Sequence, residues 1–305
     1  MDNLTHSLVG ALIGQAGLKR RTGFAMPALI IGANLPDVDT ACFLWLDGLE
    51  HLAFRRGITH GPIAWVVLPL VLAGGLWWFD RWQARRGTRP DDRLPVHFGW
   101  LYGLAFLATL THPALDWLNV YGIRLLEPFS SRWFYGDVLF IIDVWLWALM
   151  GFATWFSLRR EKRGGEWIRP ARIAGAVAGL YIATNFLISR VDAISDPSFA
   201  SVISSPPPVA FWQRDSIGAE GAGRFYSDGE LVGDVDPRQC DLAGAATRDP
   251  QVAAFVFWSR APVITRGSGG RLFLGDARYV DPRTRDRFTV ELPKAACGAS
   301  SGAGE

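Results

Sequence analysis

The sequence predicts an all-α membrane region of about six helical segments followed by a small β-rich soluble domain. Four long, nearly uncharged apolar runs fall before residue 190, and 12 of the 14 Trp residues lie there too. Charge is distributed the other way. The last 100 residues carry 12 Lys and Arg and 13 Asp and Glu, against 19 and 16 in the 205 residues before them. The chain therefore joins two chemically different regions.

The membrane prediction depends mainly on segments close to the ~20 residues that a spanning helix needs. These are residues 62–79, 96–115, 138–158 and 173–189; weaker segments precede them at 3–18 and 22–46. Several Trp residues fall near segment ends, as in an aromatic belt. The alternative is a soluble bundle of very apolar helices. The first segment lacks a basic n-region, so we expect it to be retained and not cleaved as a signal peptide.

The loops between these segments predict a topology. With six spans, the loops 19–21, 80–95 and 159–172 share one side and carry 14 Lys and Arg, against five on the opposite side. The positive-inside rule places the 14 in the cytoplasm. Both termini are then expected outside, and the soluble domain with them would be periplasmic in a Gram-negative cell or extracellular otherwise.

The C-terminal region predicts a linker and then short strands. Residues 191–208 have linker composition, and apolar or β-branched runs follow at 209–212, 252–258, 271–274 and 287–292. We expect a β-rich extracytoplasmic domain over 209–297 and a disordered tail over 298–305. A Cys240–Cys297 disulfide fits an oxidising compartment, and two unpaired thiols fit the sequence equally well.

Ionisable side chains cluster in short polar motifs beside the apolar segments. Such groups are costly in a membrane and usually mark function. His112 and Asp116 are spaced i, i+4, which places both on one face of a helix. Imidazole and carboxylate groups are suitable metal ligands. The predicted ligands are His6, Asp37, Asp39, His60, His112 and Asp116, and the predicted topology brings all six to the outer side. Each of them also has an alternative role as a hydrogen-bonded core residue or a helix cap.

Four further residues are candidates for supporting the site. Asn119 is predicted to orient a ligand, to bind substrate, or simply to end a helix. Asp143 is expected either to pair with an Arg or to orient a ligand His. Arg56 is a candidate phosphate clamp or a headgroup contact. Asp137 also falls on the outer side. His51 and His97 lack a neighbouring carboxylate motif and are interpreted as structural or surface residues.

The motifs MDNLTHSLVG, NLPDVD, RRGITHG, THPALDWLNVYG and GDVLFIIDVW resemble the bacterial inner-membrane metal-dependent hydrolase family that includes a LexA-regulated protein. The resemblance covers roughly residues 1–150. The ligand order is also distantly similar to that of zinc-dependent phospholipases C and single-strand nucleases, although no His follows His112 to match their later ligands. These resemblances imply phosphoester hydrolysis with one or two divalent ions, most simply zinc, at the bacterial inner membrane.

The leading hypothesis is therefore a membrane metallohydrolase that acts on a phosphoester, with a membrane lipid or lipid-linked molecule as substrate. Asp39 is the expected general base. The alternative is a non-enzymatic protein with a structural or sensory metal and a periplasmic partner-binding domain. A transporter is disfavoured because the polar groups cluster on one side of the membrane. The formal net charge of +2 does not point to nucleic acid as a partner, and the oligomeric state is not predicted.

Overall fold

The computed structural model describes residues 1–195, 197–221, 223–227, 229–279, 287–293 and 295–297. The predicted tail over 298–305 lies outside them. The chain forms two compact units. Unit 1 contains Met1–Asp39, Arg56–Ile188 and Ser205–Gln213, and unit 2 contains Thr40–Arg55, Ser189–Ser204 and the described part of Arg214–Glu305. Unit 2 thus includes a segment from the middle of the N-terminal region, which the sequence did not predict.

Unit 1 is built from helices. They are α1 (Asn3–Gln15), α2 (Ala25–Gly32), α4 (Pro62–Arg85), α5 (Phe98–Trp117), α6 (Val144–Lys162) and the greater part of α7 (Ile168–Ser195). The starts of α1 and α6 are encoded locally, because the Asp2 and Asp143 carboxylates accept hydrogen bonds from the free backbone N–H groups of the first turn. Pro62 begins α4, where its missing N–H costs nothing.

The prediction of about six spans is wrong in number. Among the described residues, two helices, α4 and α7, are both long and apolar enough to cross a membrane. The segment 3–18 forms a helix of 13 residues, and 22–46 forms one of eight followed by a 3-10 helix at Leu35–Leu44. At 1.5 Å per residue, both α-helices are well short of a hydrocarbon core of about 30 Å.

Apolar clusters among the described residues hold unit 1 together, and α5 contributes to two of them. One cluster joins α2, α4 and α5 around Leu29, Leu101 and Leu104. The other includes Leu115, Leu139 and Leu146 and reaches α1, α6 and α7. Small residues let the helices approach closely. A Cβ on Gly10 of α1 would lie 2.5 Å from the Leu29 carbonyl oxygen of α2.

The described residues of unit 2 form two sheets and three short α-helices. The first sheet has the order β1 (Ser201–Ser205), β2 (Asp215–Glu220), β3 (Arg224–Ser227), β4 (Glu230–Val232), and the second has β5 (Pro262–Arg266), β6 (Leu272–Asp276), β7 (Thr289–Leu292). The helices are α3 (His51–Phe54), α8 (Leu242–Arg248) and α9 (Pro250–Trp258). Cys240 and Cys297 form a disulfide, which decides between the two alternatives left open by the sequence.

Two of the four predicted strands are confirmed, at 271–274 and 287–292, where β6 and β7 form. The other two are wrong. Residues 252–258 lie in α9, because Asp249 caps a helix that begins at Pro250, and Val252, Phe255 and Trp258 repeat with helical spacing on its buried side. Residues 209–212 form a turn rather than a strand, and Val209 has a φ of 72°. The predicted linker also contains the end of α7 and β1.

Candidate metal site

The six predicted ligands come from four elements of unit 1. His6 lies on α1, and Asp37 and Asp39 lie in the 3-10 helix after α2. His60 ends a short 3-10 helix, Ile58–His60, immediately before α4. His112 and Asp116 lie one turn apart on α5. All six are buried although they are polar, which is the arrangement expected of a functional cluster within an apolar core.

Asp116 is the centre of the cluster. Its Oδ1 lies 3.4 Å from His6 Nε2, and its Oδ2 lies 3.6 Å from both His60 Nε2 and His112 Nε2. His112 Nε2 is also 3.8 Å from Asp37 Oδ1. The His6 and His112 rings stack, with centroids 3.8 Å apart. Three imidazoles therefore turn one nitrogen each toward the same carboxylate, at distances too long for hydrogen bonds.

The hydrogen bonds on the far side of two rings define which nitrogen carries the proton. His112 Nδ1 is 2.7 Å from the Ala33 carbonyl oxygen, which can only accept. Thr59 Oγ1 donates to Asp39 Oδ2 and therefore accepts from His60 Nδ1 at 2.9 Å. Burial lowers the pKa of His60, which favours the neutral ring. In the neutral form, both rings present the lone pair of Nε2 to Asp116.

This arrangement fits a bound cation. Among the described residues, the Nε2 atoms of His6, His60 and His112 and Oδ2 of Asp116 are buried without a hydrogen-bond partner. Lone pairs that face one another in a buried site repel each other unless a cation lies between them. A tetrahedral ion with Zn–N distances of 2.0–2.1 Å holds its ligands about 3.3–3.4 Å apart. The observed 3.4–3.8 Å separations are close to that value.

The potential ligand atoms form two groups that share one residue. His60, His112 and Asp116 form one group, and His6, Asp37 and His112 form the other, each with its ligand atoms within 4.8 Å of one another. Asp39 lies outside both groups. Its Oδ2 accepts from the Arg56 backbone N–H at 2.7 Å and lies 3.6 Å from His60 Nδ1, on the side of the ring away from Asp116.

Arg56 connects the ligands to the loop after α5. Its Nε lies 3.2 Å from Asp116 Oδ2, and its Nη1 donates to Asn119 Oδ1 at 3.0 Å and to the Gly122 carbonyl at 3.2 Å. The guanidinium group also lies over the Tyr121 ring. Asn119 Nδ2 is buried without a hydrogen-bond partner among the described residues. The site thus contains a buried cationic side chain and an amide donor, both suited to a phosphoryl oxygen.

Asp143 and His97 form hydrogen bonds with residues other than the six predicted ligands. The Asp143 carboxylate caps α6 and accepts from the Tyr181 hydroxyl at 2.9 Å, and neither of its predicted partners, an Arg or a ligand His, accounts for these contacts. Asp137 is half-buried with a φ of 58°. His97 is exposed at the start of α5.

Three contacts were missed from the sequence. The Met1 amine pairs with Asp116 Oδ1, Thr59 links His60 to Asp39, and the Ala33 carbonyl orients His112. Thr59 directly precedes His60 and so offered a local signal. The Ala33 and Met1 contacts depend on how α1, α2 and α5 pack, and no local sequence pattern predicts them.

A match to a known protein family covers the part of the chain that contains the candidate site. A sequence model of the YdjM inner membrane protein family matches residues 1–191, which include every residue of the candidate site. The chain belongs to the YdjM inner membrane protein family. The matched region ends within α7, so most residues of unit 2 lie beyond the family match.

The alignment with one relative extends beyond the family match. The chain is 25% identical over 283 residues to the uncharacterized protein YfhP of Bacillus subtilis, and this alignment covers 85% of the chain and 80% of the relative. No solved structure matches the chain. The family membership therefore establishes an inner membrane protein, and the chemistry must be argued from the site.

Proposed function

We propose that this YdjM family member is a multi-pass, metal-dependent hydrolase that acts on a phosphoester at the outer face of the inner membrane. The observation that carries the proposal is the set of buried, unsatisfied Nε2 atoms around Asp116. A cluster that served only packing would have its lone pairs paired with donors. The location at the outer face is carried over from the sequence prediction, because the structure has two candidate spans among its described residues and not the six that the loop count assumed.

The primary ion, zinc by the preference for imidazole and carboxylate ligands, would be held by His60, His112 and Asp116. His112 Nε2 has a single lone pair and its Nδ1 faces the Ala33 carbonyl, so His112 can serve one ion only. A catalytic zinc ion keeps one position open for water, so these three protein ligands suffice. His6 and Asp37 either lie beside this ion or hold a second ion without His112, and we favour one ion.

An ion held there supplies Lewis-acid activation of water and of the phosphoryl group at neutral pH. The protein's own residues provide the remainder. Thr59 and Asp39 hold the His60 ring in the tautomer that leaves Nε2 free. Arg56 places a buried positive charge beside Asp116, and Asn119 Nδ2 offers a donor for a phosphoryl oxygen. The general-base role of Asp39 stays a prediction.

The test combines metal content with catalysis in the full chain. Wild-type protein purified in lipid nanodiscs should contain about one equivalent of zinc and cleave bis(p-nitrophenyl) phosphate. Asp116→Asn and His112→Ala should each reduce zinc to about a tenth or less and abolish cleavage, because each removes a ligand of the same ion. His97→Ala is the matched control, since it removes an exposed His from the same helix.

Two outcomes would contradict the proposal. If His112→Ala retained the zinc content and activity of His97→Ala, the metal site would be refuted. If zinc bound as expected but the wild-type protein cleaved neither soluble nor lipid phosphoesters, hydrolysis would be refuted and a structural or sensory metal would be supported instead.

A further inference from the structure

Three consecutive apolar side chains of unit 2 are strongly exposed. Phe43, Leu44 and Trp45 are 53%, 86% and 59% exposed. They lie at the end of the 3-10 helix Leu35–Leu44 and in the turn after it, and residues 40–46 (TACFLWL) contain no charge. We call Phe43–Trp45 the apolar tip. Leaving three such side chains in water is unfavourable, because apolar surface is more stable when it is removed from water.

Contacts within unit 2 hold the apolar tip in place. The Trp45 ring packs edge-on against Phe54 of α3 with centroids 5.9 Å apart, and the Phe43 ring lies 4.9 Å from His51. The Arg55 guanidinium lies over the Phe43 ring. Leu49 N also donates to Gln251 Oε1 of α9 at 3.2 Å, which ties the same segment to the C-terminal part of the unit. The tip is therefore a built feature of the fold rather than a loose loop.

Its composition and its position in the chain both indicate a lipid environment. Trp and Phe together with a nearby Arg are typical of the membrane–water interface, where rings lie among the lipid headgroups and glycerol groups. Within unit 2, Phe54 of α3, the ring against which Trp45 packs, is also 40% exposed. Further along the chain, α4 begins at Pro62 and is a candidate span. In a protein of an inner membrane family, an exposed apolar tip of this kind is covered most simply by lipid.

The structure excludes a spanning helix at this position. The only α-helix between Thr40 and Arg55 in the described chain is α3, which has four residues. A peptide of this kind can enter the interface but cannot satisfy its backbone groups across a hydrocarbon core. We propose that the apolar tip inserts into the lipid interface of the membrane and anchors unit 2 there. The proposal does not depend on the hydrolase function, because it concerns only the contact with lipid.

Depth-dependent fluorescence quenching in the full chain tests the proposal. Cys42 is buried and is replaced by Ala, and the only remaining cysteines of the chain are in the disulfide. Leu44→Cys, and separately Trp45→Cys, is labelled with the NBD fluorophore in nanodiscs of phosphatidylcholine and phosphatidylglycerol. Leu231→Cys is the matched control, because Leu231 lies in the same unit on β4 and is 54% exposed.

Lipids brominated near the headgroup should quench the label at position 44 or 45 by at least about twofold and leave position 231 unchanged. Aqueous iodide should instead quench the label at position 231 more strongly than the label at position 44 or 45. Equal iodide quenching at positions 44 and 231 would place the tip in water and overturn the proposal. Shielding of positions 44 and 45 from both quenchers would show that a second copy or another protein covers the tip, which also overturns it.

Discussion

Among the described residues, Asp116 in unit 1 and Asp276 in unit 2 are the most deeply buried aspartates, and the two have opposite surroundings. Asp276 in unit 2 accepts from Arg278 Nε and Nη2 at 2.6 Å each and from the Ser259 hydroxyl at 2.6 Å. Asp116 in unit 1 faces three imidazole nitrogens at 3.4–3.6 Å, and these nitrogens have no hydrogen-bond partner among the described residues. Burial alone therefore does not distinguish the two groups.

The difference lies in whether the surroundings complete the hydrogen bonds. Around Asp276 every neighbour is a donor, and the Arg278 guanidinium also lies over the Trp258 ring, so the ion pair belongs to the core of unit 2. Asp116 also has cationic neighbours, the Met1 amine and Arg56, but the imidazole nitrogens that face it are acceptors in their neutral form and have no donor among the described residues. A buried carboxylate whose neighbours are all paired is a structural element, and one surrounded by unpaired imidazole nitrogens marks a candidate metal site.

Asp276→Asn gives the largest effect expected from this comparison. It leaves the buried Arg278 charge without its partner, which should lower the free energy of unfolding of unit 2 by about 3 kcal/mol or more. Amide hydrogen exchange of the full chain should show faster exchange over residues 252–279. Asp236→Asn is the control, because Asp236 and Arg238 have the same spacing but are 17% and 56% exposed, whereas Asp276 and Arg278 are buried.

Zinc content should be unchanged in Asp276→Asn. Loss of zinc together with faster amide exchange over residues 252–279 would show that Asp276 also affects the metal site. The two aspartates would then not have separate roles, and the comparison would fail.

Thr59→Val gives a smaller effect, confined to unit 1. The valine keeps the shape of the side chain but removes the hydroxyl that links His60 to Asp39, so the His60 ring loses its orientation. The affinity for zinc should fall about tenfold, which corresponds to about 1.4 kcal/mol. Competition with a chelating dye measures this change. Thr154→Val is the matched control, since its hydroxyl has no hydrogen-bond partner among the described residues. Equal affinities of the two variants would remove Thr59 from the site.

The smallest effect is a pH dependence of unit 2. Burial would raise the pKa of Asp276, but the Arg278 guanidinium and the hydrogen bonds from Ser259 and Arg278 outweigh it and hold this pKa below its usual value. A depressed folded-state pKa contributes stability that is present above the unfolded-state pKa of about 3.9 and is lost as the pH falls through the folded-state value. The difference in stability between wild type and Asp276→Asn should therefore be constant above about pH 5 and shrink below about pH 4. A difference that grew on acidification would have the wrong sign for this ion pair.

Much of the helical layout was predictable because the signals are local. Apolar runs, Pro62 at a helix start and Asp143 at a cap all act within a few residues of their own position. Helix length was less predictable. The run over 22–46 is apolar enough to suggest a span, yet α2 ends at Gly32, where the structure places Ala33 and its carbonyl against His112. The helix 250–258 was missed because a short apolar run does not reveal its period.

The sequence by itself determined the types of ligand and their rough placement. His112 and Asp116 share a helical face whatever surrounds them, and the polar motifs stand out against apolar segments. Only the tertiary structure decided which atoms meet. The contacts of Asp116 with His6, His60 and Arg56 join residues 110, 56 and 60 positions apart, and the pairing depends on how α1 and the loop before α4 pack on α5. Long-range packing of this kind has no local pattern, because it is selected by the fit of whole helices rather than by any one segment.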